Sequence, residues 1–129
     1  MINLNSREVK VNLSAKSLYN KLSDLNNLKS ILPSQITDFE STEDSCSFKI
    51  SGMPKISLEI SEKIPYSKIS LRAKDSQVPF NLICLISDNG ENCKAVLEIN
   101  AELNMMMRMM LEKPLSNFLN TAANGLEKI

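Results

Sequence analysis

The stretch Phe80–Ile99, FNLICLISDNGENCKAVLEI, holds two alternating runs on either side of Asn89-Gly90. Asn-Gly is a strong signal for a two-residue hairpin turn, because both residues tolerate the positive φ that such a turn needs. Closing the turn there pairs Asp88 with Glu91, and so Ile86 with Cys93, Cys84 with Ala95, Leu82 with Leu97 and Phe80 with Ile99. Those last four pairs are all apolar. A slip of one residue would turn every side chain to the opposite face, so turn chemistry and burial pattern support each other.

The same test works upstream. A loop Gly52-Met53-Pro54 pairs Ile50 with Ile56, Phe48 with Leu58 and Cys46 with Ile60. A loop from Lys63 to Tyr66 pairs Ile60 with Ile69 and Leu58 with Leu71. A tight turn at Glu43-Asp44 brings Phe39 opposite Phe48, with Thr37 and Ser41 on the same inner face. Independent turns that agree on one apolar face are stronger than any single strand. The opposite face carries Ser47, Lys49, Ser57, Glu59, Lys68, Ser70, Arg72, Lys94 and Glu98, as water requires. Ile83 and Val96, with Leu85 nearby, break that rule. They read either as scattered exposed aliphatics or as a self-association patch.

Before this meander, Val9, Val11 and Leu13 alternate with polar residues as a first strand. Ser14 can cap a helix carrying Leu18, Leu22 and Leu25, and Asp24 a second short helix with Leu28, Ile31 and Leu32, stopped by Pro33. After the meander, Met105–Ile129 reads as one long helix. Its stripe is Leu111, Leu115, Phe118, Leu119, Ala122, Leu126 and Ile129, and Pro114 is expected to kink or interrupt it. A meander followed by a single helix buries itself by curling around that helix. The expected fold is therefore α+β, a helix grip.

The bulk composition narrows the function. A chain of 129 residues is expected to form one domain, residues 1–129. Fifteen basic and fifteen acidic residues cancel, which argues against nucleic acid as a partner. No signal peptide or membrane-spanning run is evident, so a cytoplasmic protein without stable membrane insertion is expected. Three cysteines argue against a disulfide framework, and histidine is absent.

The order of elements resembles the helix-grip fold of the START-like (SRPBCC) superfamily. That group includes lipid-transfer, birch-pollen-allergen-like and polyketide cyclase/dehydrase-like proteins. The resemblance rests on Val9-Lys10-Val11-Asn12-Leu13-Ser14-Ala15, on Leu22-Ser23-Asp24 and Ile31-Leu32-Pro33, on Cys46-Ser47-Phe48-Lys49-Ile50 with Gly52-Met53, and on the helix from Pro114-Leu115 to Leu126. It covers essentially the whole chain and looks most like the short single-domain bacterial members. It implies a curved antiparallel sheet of about seven strands around a long C-terminal helix, with two short helices after strand 1. Enzymatic members place polar or ionisable groups in the cavity, whereas the inward strand positions here are Cys, Phe, Ile, Leu and Ala.

The expected function is therefore non-enzymatic binding of a small hydrophobic or lipid-like molecule between sheet and helix. The candidate lining is Phe48, Ile50, Leu58, Leu71, Phe80, Leu82, Leu97, Ile99, Met107, Leu111, Leu115 and Phe118. Met105, Met106, Met107, Met109 and Met110 form the strongest local anomaly. With Met53, Pro54, Val78 and Pro79 they should gather at one rim. Methionine suits a surface that adapts to variable apolar shapes, so Met53, Met106 and Met110 are candidates for a pocket mouth. The same residues also read as a plug of the core or as a contact with a second chain. A copper(I) reading of the thioethers lacks a His or an exposed Cys to complete it, and no metal or cofactor is expected.

Cys46, Cys84 and Cys93 all have inward parity and no imidazole to activate them, which favours a core role. Cys84 and Cys93 would be diagonal neighbours across the hairpin. The acidic residues face outward or sit in turns, so no catalytic carboxylate pair emerges. Arg108 and Glu112 form an ordinary helix pair or flank the mouth; Thr37, Ser41 and Tyr66 are the remaining polar candidates. Two rivals stand beside ligand binding. One is a protein-interaction module with a filled core, including a homodimer through the Met rim or the Ile83/Val96 patch. The other is a polyketide cyclase/dehydratase-like enzyme.

Overall fold

A computed structural model of the chain describes residues 2–30, 36–49, 55–74 and 80–128. The strand expected around Val9 is preceded by another. β1 (Ile2–Asn5) and β2 (Val9–Val11) both run antiparallel to β8 (Asn92–Ala101). Leu4 lies opposite Ile99 and Val9 opposite Ala95, so the pairing slips by one residue between the two segments. That slip lets Leu4 and Val9, of opposite parity, both pack against the core. Ser6 bridges the break. Its N–H donates to the Leu97 carbonyl at 2.8 Å, and its hydroxyl accepts the Leu97 N–H at 2.9 Å.

Helix α1 (Ala15–Leu22) starts at Ser14, whose hydroxyl accepts the Ser17 N–H at 3.2 Å, and it buries Ala15, Leu18 and Leu22. Asp24 then accepts the Asn26 N–H at 3.0 Å and opens a short 3₁₀ helix, Leu25–Ser30. The expected second helix is thus 3₁₀ rather than α. Its expected stop at Ile31-Leu32-Pro33 lies outside the described residues.

The remaining strands are β3 (Thr37–Ser41), β4 (Ser45–Lys49), β5 (Ile56–Ile64), β6 (Lys68–Ala73) and β7 (Phe80–Asn89). The sheet order is β1-β8-β7-β6-β5-β4-β3, with β2 continuing the β1 edge on β8. All pairings are antiparallel. This curved sheet and the helix it wraps make the helix-grip α+β fold.

Apart from Thr37, the inner face is as expected, but three of the registers are displaced. In the β7–β8 hairpin Asn89 pairs with Asn92, leaving Gly90 and Glu91 as the turn. Gly90 has φ +83°, the positive value demanded of the first turn residue. The apolar pairs become Ile86–Ala95, Cys84–Leu97, Leu82–Ile99 and Phe80–Ala101. Cys93 moves opposite Asp88, so Cys84 and Cys93 are not diagonal neighbours. The β4–β5 and β5–β6 pairings move equally, giving Phe48–Ile56, Cys46–Leu58 and Ile60–Leu71, with an irregularity between Ile60 and Glu62. Side chains alternate with period two, so a two-residue displacement leaves every inward residue inward. The β3–β4 turn is as expected, with Ser41 facing Cys46 and the rings of Phe39 and Phe48 stacked with centroids 6.3 Å apart, but a register shift between Thr37 and Glu40 sets Thr37 opposite exposed Lys49, so Thr37 is exposed rather than inward. The Gly52-Met53-Pro54 loop, Ile50, Val78 and Pro79 lie outside the described residues.

On the outer face Leu85, rather than Ile83, stands opposite Val96, and all three are half-buried. Ser70, expected in water, is only 7% exposed, flanked in mid-sheet by Glu62 and Ile83. Helix α2 (Met105–Glu127) is capped by Asn104, whose side chain accepts the Met107 N–H at 2.8 Å. It packs on β8, β2 and β1. Pro114 does not end it. The carbonyl that Pro114 leaves unpaired belongs to exposed Met110, where water can take the missing place. No helix among the described residues is long and apolar enough to cross a membrane.

Candidate functional site

Between the sheet and the second half of α2 lies a cavity of about 60 Å³. Phe48, Leu58, Ile69, Leu71, Leu82, Cys84 and Leu97 form its sheet wall, and Phe118, Ala122 and Leu126 its helix wall. Leu22, Leu25 and Leu28, from the end of α1 and the 3₁₀ helix, close the third side. These walls exist because each element had one apolar stripe to bury. The strand residues share one parity, the α2 residues recur every three or four positions, and the leucines after Ser14 follow a helical repeat.

Six of the expected lining residues meet here: Phe48, Leu58, Leu71, Leu82, Leu97 and Phe118. Phe80, Ile99, Leu111 and Leu115 are buried in the core but do not line this cavity, and Met107 is half-buried against the core. Ile50 and Met53 lie outside the described residues. Met106 and Met110 were expected at a pocket mouth. They are 72% and 65% exposed and are not part of its walls. The nearest cavity residue on their helix is Phe118, eight to twelve positions on, or roughly 12–18 Å along the axis at 1.5 Å per residue.

Ile69, Cys84, Ala122 and Leu126 were legible as neighbours of the chosen residues on the same stripes. Leu22, Leu25 and Leu28 were not, because no local pattern states which opening of the sheet a preceding helix covers.

The chemistry of the site is apolar. Burial pushes the Cys84 thiol up to about 12, helped by Cys93, and the Cys46 thiol likewise to about 12. Cys93 is raised by burial and then by Asp88. All three are free, buried thiols, far from the thiolate form a nucleophile requires. Ser6 and Ser70 are the only buried polar side chains among the described residues, and Ser6 is occupied by backbone partners. Glu59 pairs with Arg72 across β5–β6 at 2.7 Å, and Arg108 with Glu112 at 3.4 Å, both on the surface. Ser41 hydrogen-bonds Asn26 at 2.6 Å, Thr37 is exposed, and Tyr66 sets its ring against Tyr19 with centroids 5.5 Å apart. None of the three reaches the cavity. No group of three or more His, Cys, Asp or Glu side chains suited to a metal occurs among the described residues.

A second groove of about 360 Å³ opens along β3, β4 and β5, lined by Glu40, Ser41, Thr42, Ser45, Cys46, Ser47, Ser57, Leu58 and Lys74. It is more open than the first. Thr42 and Ser45 bond each other at 2.7 Å, which leaves them partly satisfied.

No family model matches the sequence, and no curated protein does. Solved structures match over its whole length. A START superfamily protein from Mycobacterium smegmatis superposes with a TM-score of 0.70 at 12% identity, over 98% of this chain and 94% of that one. Norcoclaurine synthase from Thalictrum flavum, in complex with a transition-state analogue, gives 0.67 at 9% identity, over 95% and 94%. The Aha1 dimer from Colwellia psychrerythraea gives 0.61 at 16% identity, over 98% and 97%. At these identities the likeness is one of fold.

Proposed function

We propose that this chain, which has the START-like fold, is a single domain over residues 1–129 that holds a small hydrophobic or lipid-like molecule between its sheet and the second half of α2, without reacting with it. The observation that carries this reading is the wholly apolar wall of the cavity. Apolar burial stabilises a bound molecule by about 25 cal/mol per Å² removed from water, before ordering costs. Norcoclaurine synthase, similar in fold and in complex with a transition-state analogue, supports the reading of a fold that holds small molecules. Here no carboxylate or imidazole lines the described cavity, which favours holding over converting and leaves the cyclase/dehydratase reading without a proton donor.

The cavity of about 60 Å³ is well below the ~300 Å³ of an ordinary small-molecule pocket. A longer ligand therefore has to displace a wall. The wall best suited to move is Leu25 and Leu28 on the short 3₁₀ helix, tied to the sheet by the Leu25 N–H to the Glu43 carbonyl at 2.8 Å. The small volume also favours a second reading, an interaction module with a filled core. Two surfaces are open to a second copy of the chain, the Met-rich start of α2 and the Ile83/Leu85/Val96 strip. The cytoplasm suits three free cysteines, and the cancelling charges favour no nucleic-acid partner.

Methyl-detected NMR with dodecanoic acid tests the main reading. Shifts should appear first at Leu22, Leu25, Leu28 and Leu126, and Ala122→Leu, which fills the void, should weaken binding about tenfold or more for the volume it removes. Shifts confined to Met105–Met110, or none at all, would end the reading.

A further inference from the structure

Met105, Met106, Met109 and Met110 are 81%, 72%, 80% and 65% exposed on the first two turns of α2. They lie on the side of the helix broadly opposite the buried stripe of Leu111, Leu115 and Leu119. The same outward side continues as Lys113, Ser116, Asn117, Asn120 and Asn124, so its apolar character ends abruptly. Four such side chains approach the ~300–600 Å² of the largest apolar patch on a typical monomer. The cavity does not use them.

We propose that this face is covered by the same face of a second copy of the chain, the two helix starts crossing antiparallel about a two-fold axis between Met106 and Met109. The charges around the patch favour that occupant. Glu102 borders it on the N-terminal side and Lys113 on the C-terminal side; both are exposed, and neither has an ion-pair partner among the described residues. Antiparallel crossing sets each beside the other's opposite, whereas parallel crossing sets like against like. The whole chain is neutral, with fifteen charges of each sign, so two copies meet no net repulsion.

Other occupants fit less well. Glu102 and Glu112 cancel Arg108 and Lys113 around the patch, which removes the attraction an anionic lipid surface would need. A copper(I) ion would face Arg108 and the positive end of the helix dipole. Two patches together bury on the order of 1,000 Å², near the lower limit of specific interfaces, so the dimer is a weak and concentration-dependent one. The interface sits at the end of α2 away from the cavity, so it goes beyond the ligand-binding reading and does not rest on it.

Sedimentation equilibrium of the full chain tests the proposal. A reversible monomer–dimer equilibrium is expected, weakened roughly tenfold or more by the double variant Met106→Asp/Met109→Asp, as for loss of a central apolar anchor. Glu102→Lys or Lys113→Glu alone should weaken association, and the two together should restore it. With the native thiols buried, Met109→Cys should give an oxidised cross-linked dimer, while Asn120→Cys, farther along the same side, should not. A chain that stays monomeric at millimolar concentration overturns the proposal. So does a dimer indifferent to the Met substitutions, and so does a monomer that docks on phosphatidylcholine vesicles through these methionines. Dodecanoic acid shifts at Leu25 and Leu28 in the monomeric variant would show the cavity reading surviving alone.

Discussion

From Met105 to Met110, α2 buries no side chain fully; from Leu111 to Leu126 it buries Leu111, Leu115, Phe118, Leu119, Ala122, Ala123 and Leu126. Both halves are apolar in sequence, and one continuous helix carries both. What differs is what lies against them. The second half carries every fully buried side chain that α2 sets against the sheet, with α1 and the 3₁₀ helix closing the far side, while four of the first six residues are methionines exposed to water. Hydrophobicity along a helix states what could be buried, and only the extent of the opposing surface decides what is.

Placing the same charge in each half is the sharpest way to break this comparison. Leu119 is 1% exposed, and Leu119→Asp would bury an unpaired carboxylate at a penalty of several kcal/mol. That removes most of the ~5–15 kcal/mol that holds a domain together, so the variant should fail to fold. Met109→Asp should change stability by less than about 0.5 kcal/mol, because the side chain stays in water. Urea denaturation followed by circular dichroism reads both. Equal losses would mean that the first half is core after all.

Phe118→Ala sharpens the comparison within the buried half. The Phe118 ring stacks on Phe48 with centroids 5.9 Å apart, and Phe48 in turn stacks on Phe39. Truncation should cost ~3–5 kcal/mol and leave a larger void. If that void joins the existing cavity, xenon should bind the variant more tightly than the parent, as apolar voids do. A loss below about 1 kcal/mol would show that the wall collapses to fill the gap.

Asn104→Ala tests where the exposed half gets its stability. With few buried contacts, its first turn depends on the cap that accepts the Met107 N–H. Loss of the cap should cost ~1 kcal/mol and should loosen amide-exchange protection in the first two turns before the rest of α2. Uniform loosening along α2 would mean that its halves unfold together.

The sequence made these halves legible to different degrees. Apolar parity placed Phe48, Leu58, Leu71, Leu82 and Leu97 on one face even though three registers were displaced by two residues. Parity is blind to such a displacement, because it leaves the face unchanged. The stripe from Leu111 to Leu126 was legible for the same reason. The fate of the methionines was not, since a run of apolar residues carries no statement of where the sheet stops. Leu22, Leu25 and Leu28 closing the cavity was equally hidden, being a contact between elements far apart in the chain. β1 is not legible in the sequence, because Ile2-Asn3-Leu4-Asn5 is too short to stand without knowing that β8 has a free edge beside it.

The smallest expected effect concerns the ion pairs at the two ends of α2. Arg108 and Glu112 belong to the same exposed turn and tie the helix only to itself. Arg7 reaches from the β1–β2 break to the far end of α2, donating to Glu127 at 2.8 Å and also to Asn124. Its hydrogen bond, and then its charge, holds the Glu127 carboxyl below the ordinary value of 4.5. A carboxyl whose pKa is lower in the folded state adds stability above its unfolded value, and loses it as pH falls through the folded one. The thermal midpoint of the parent should therefore drop slightly more steeply than that of Glu127→Gln as pH is lowered below about 4.5, the ordinary carboxyl value. The pair is exposed, so salt should screen the difference. Parallel acid profiles at low ionic strength would show that Arg7 and Glu127 meet without fastening the buried half of α2 to the sheet edge.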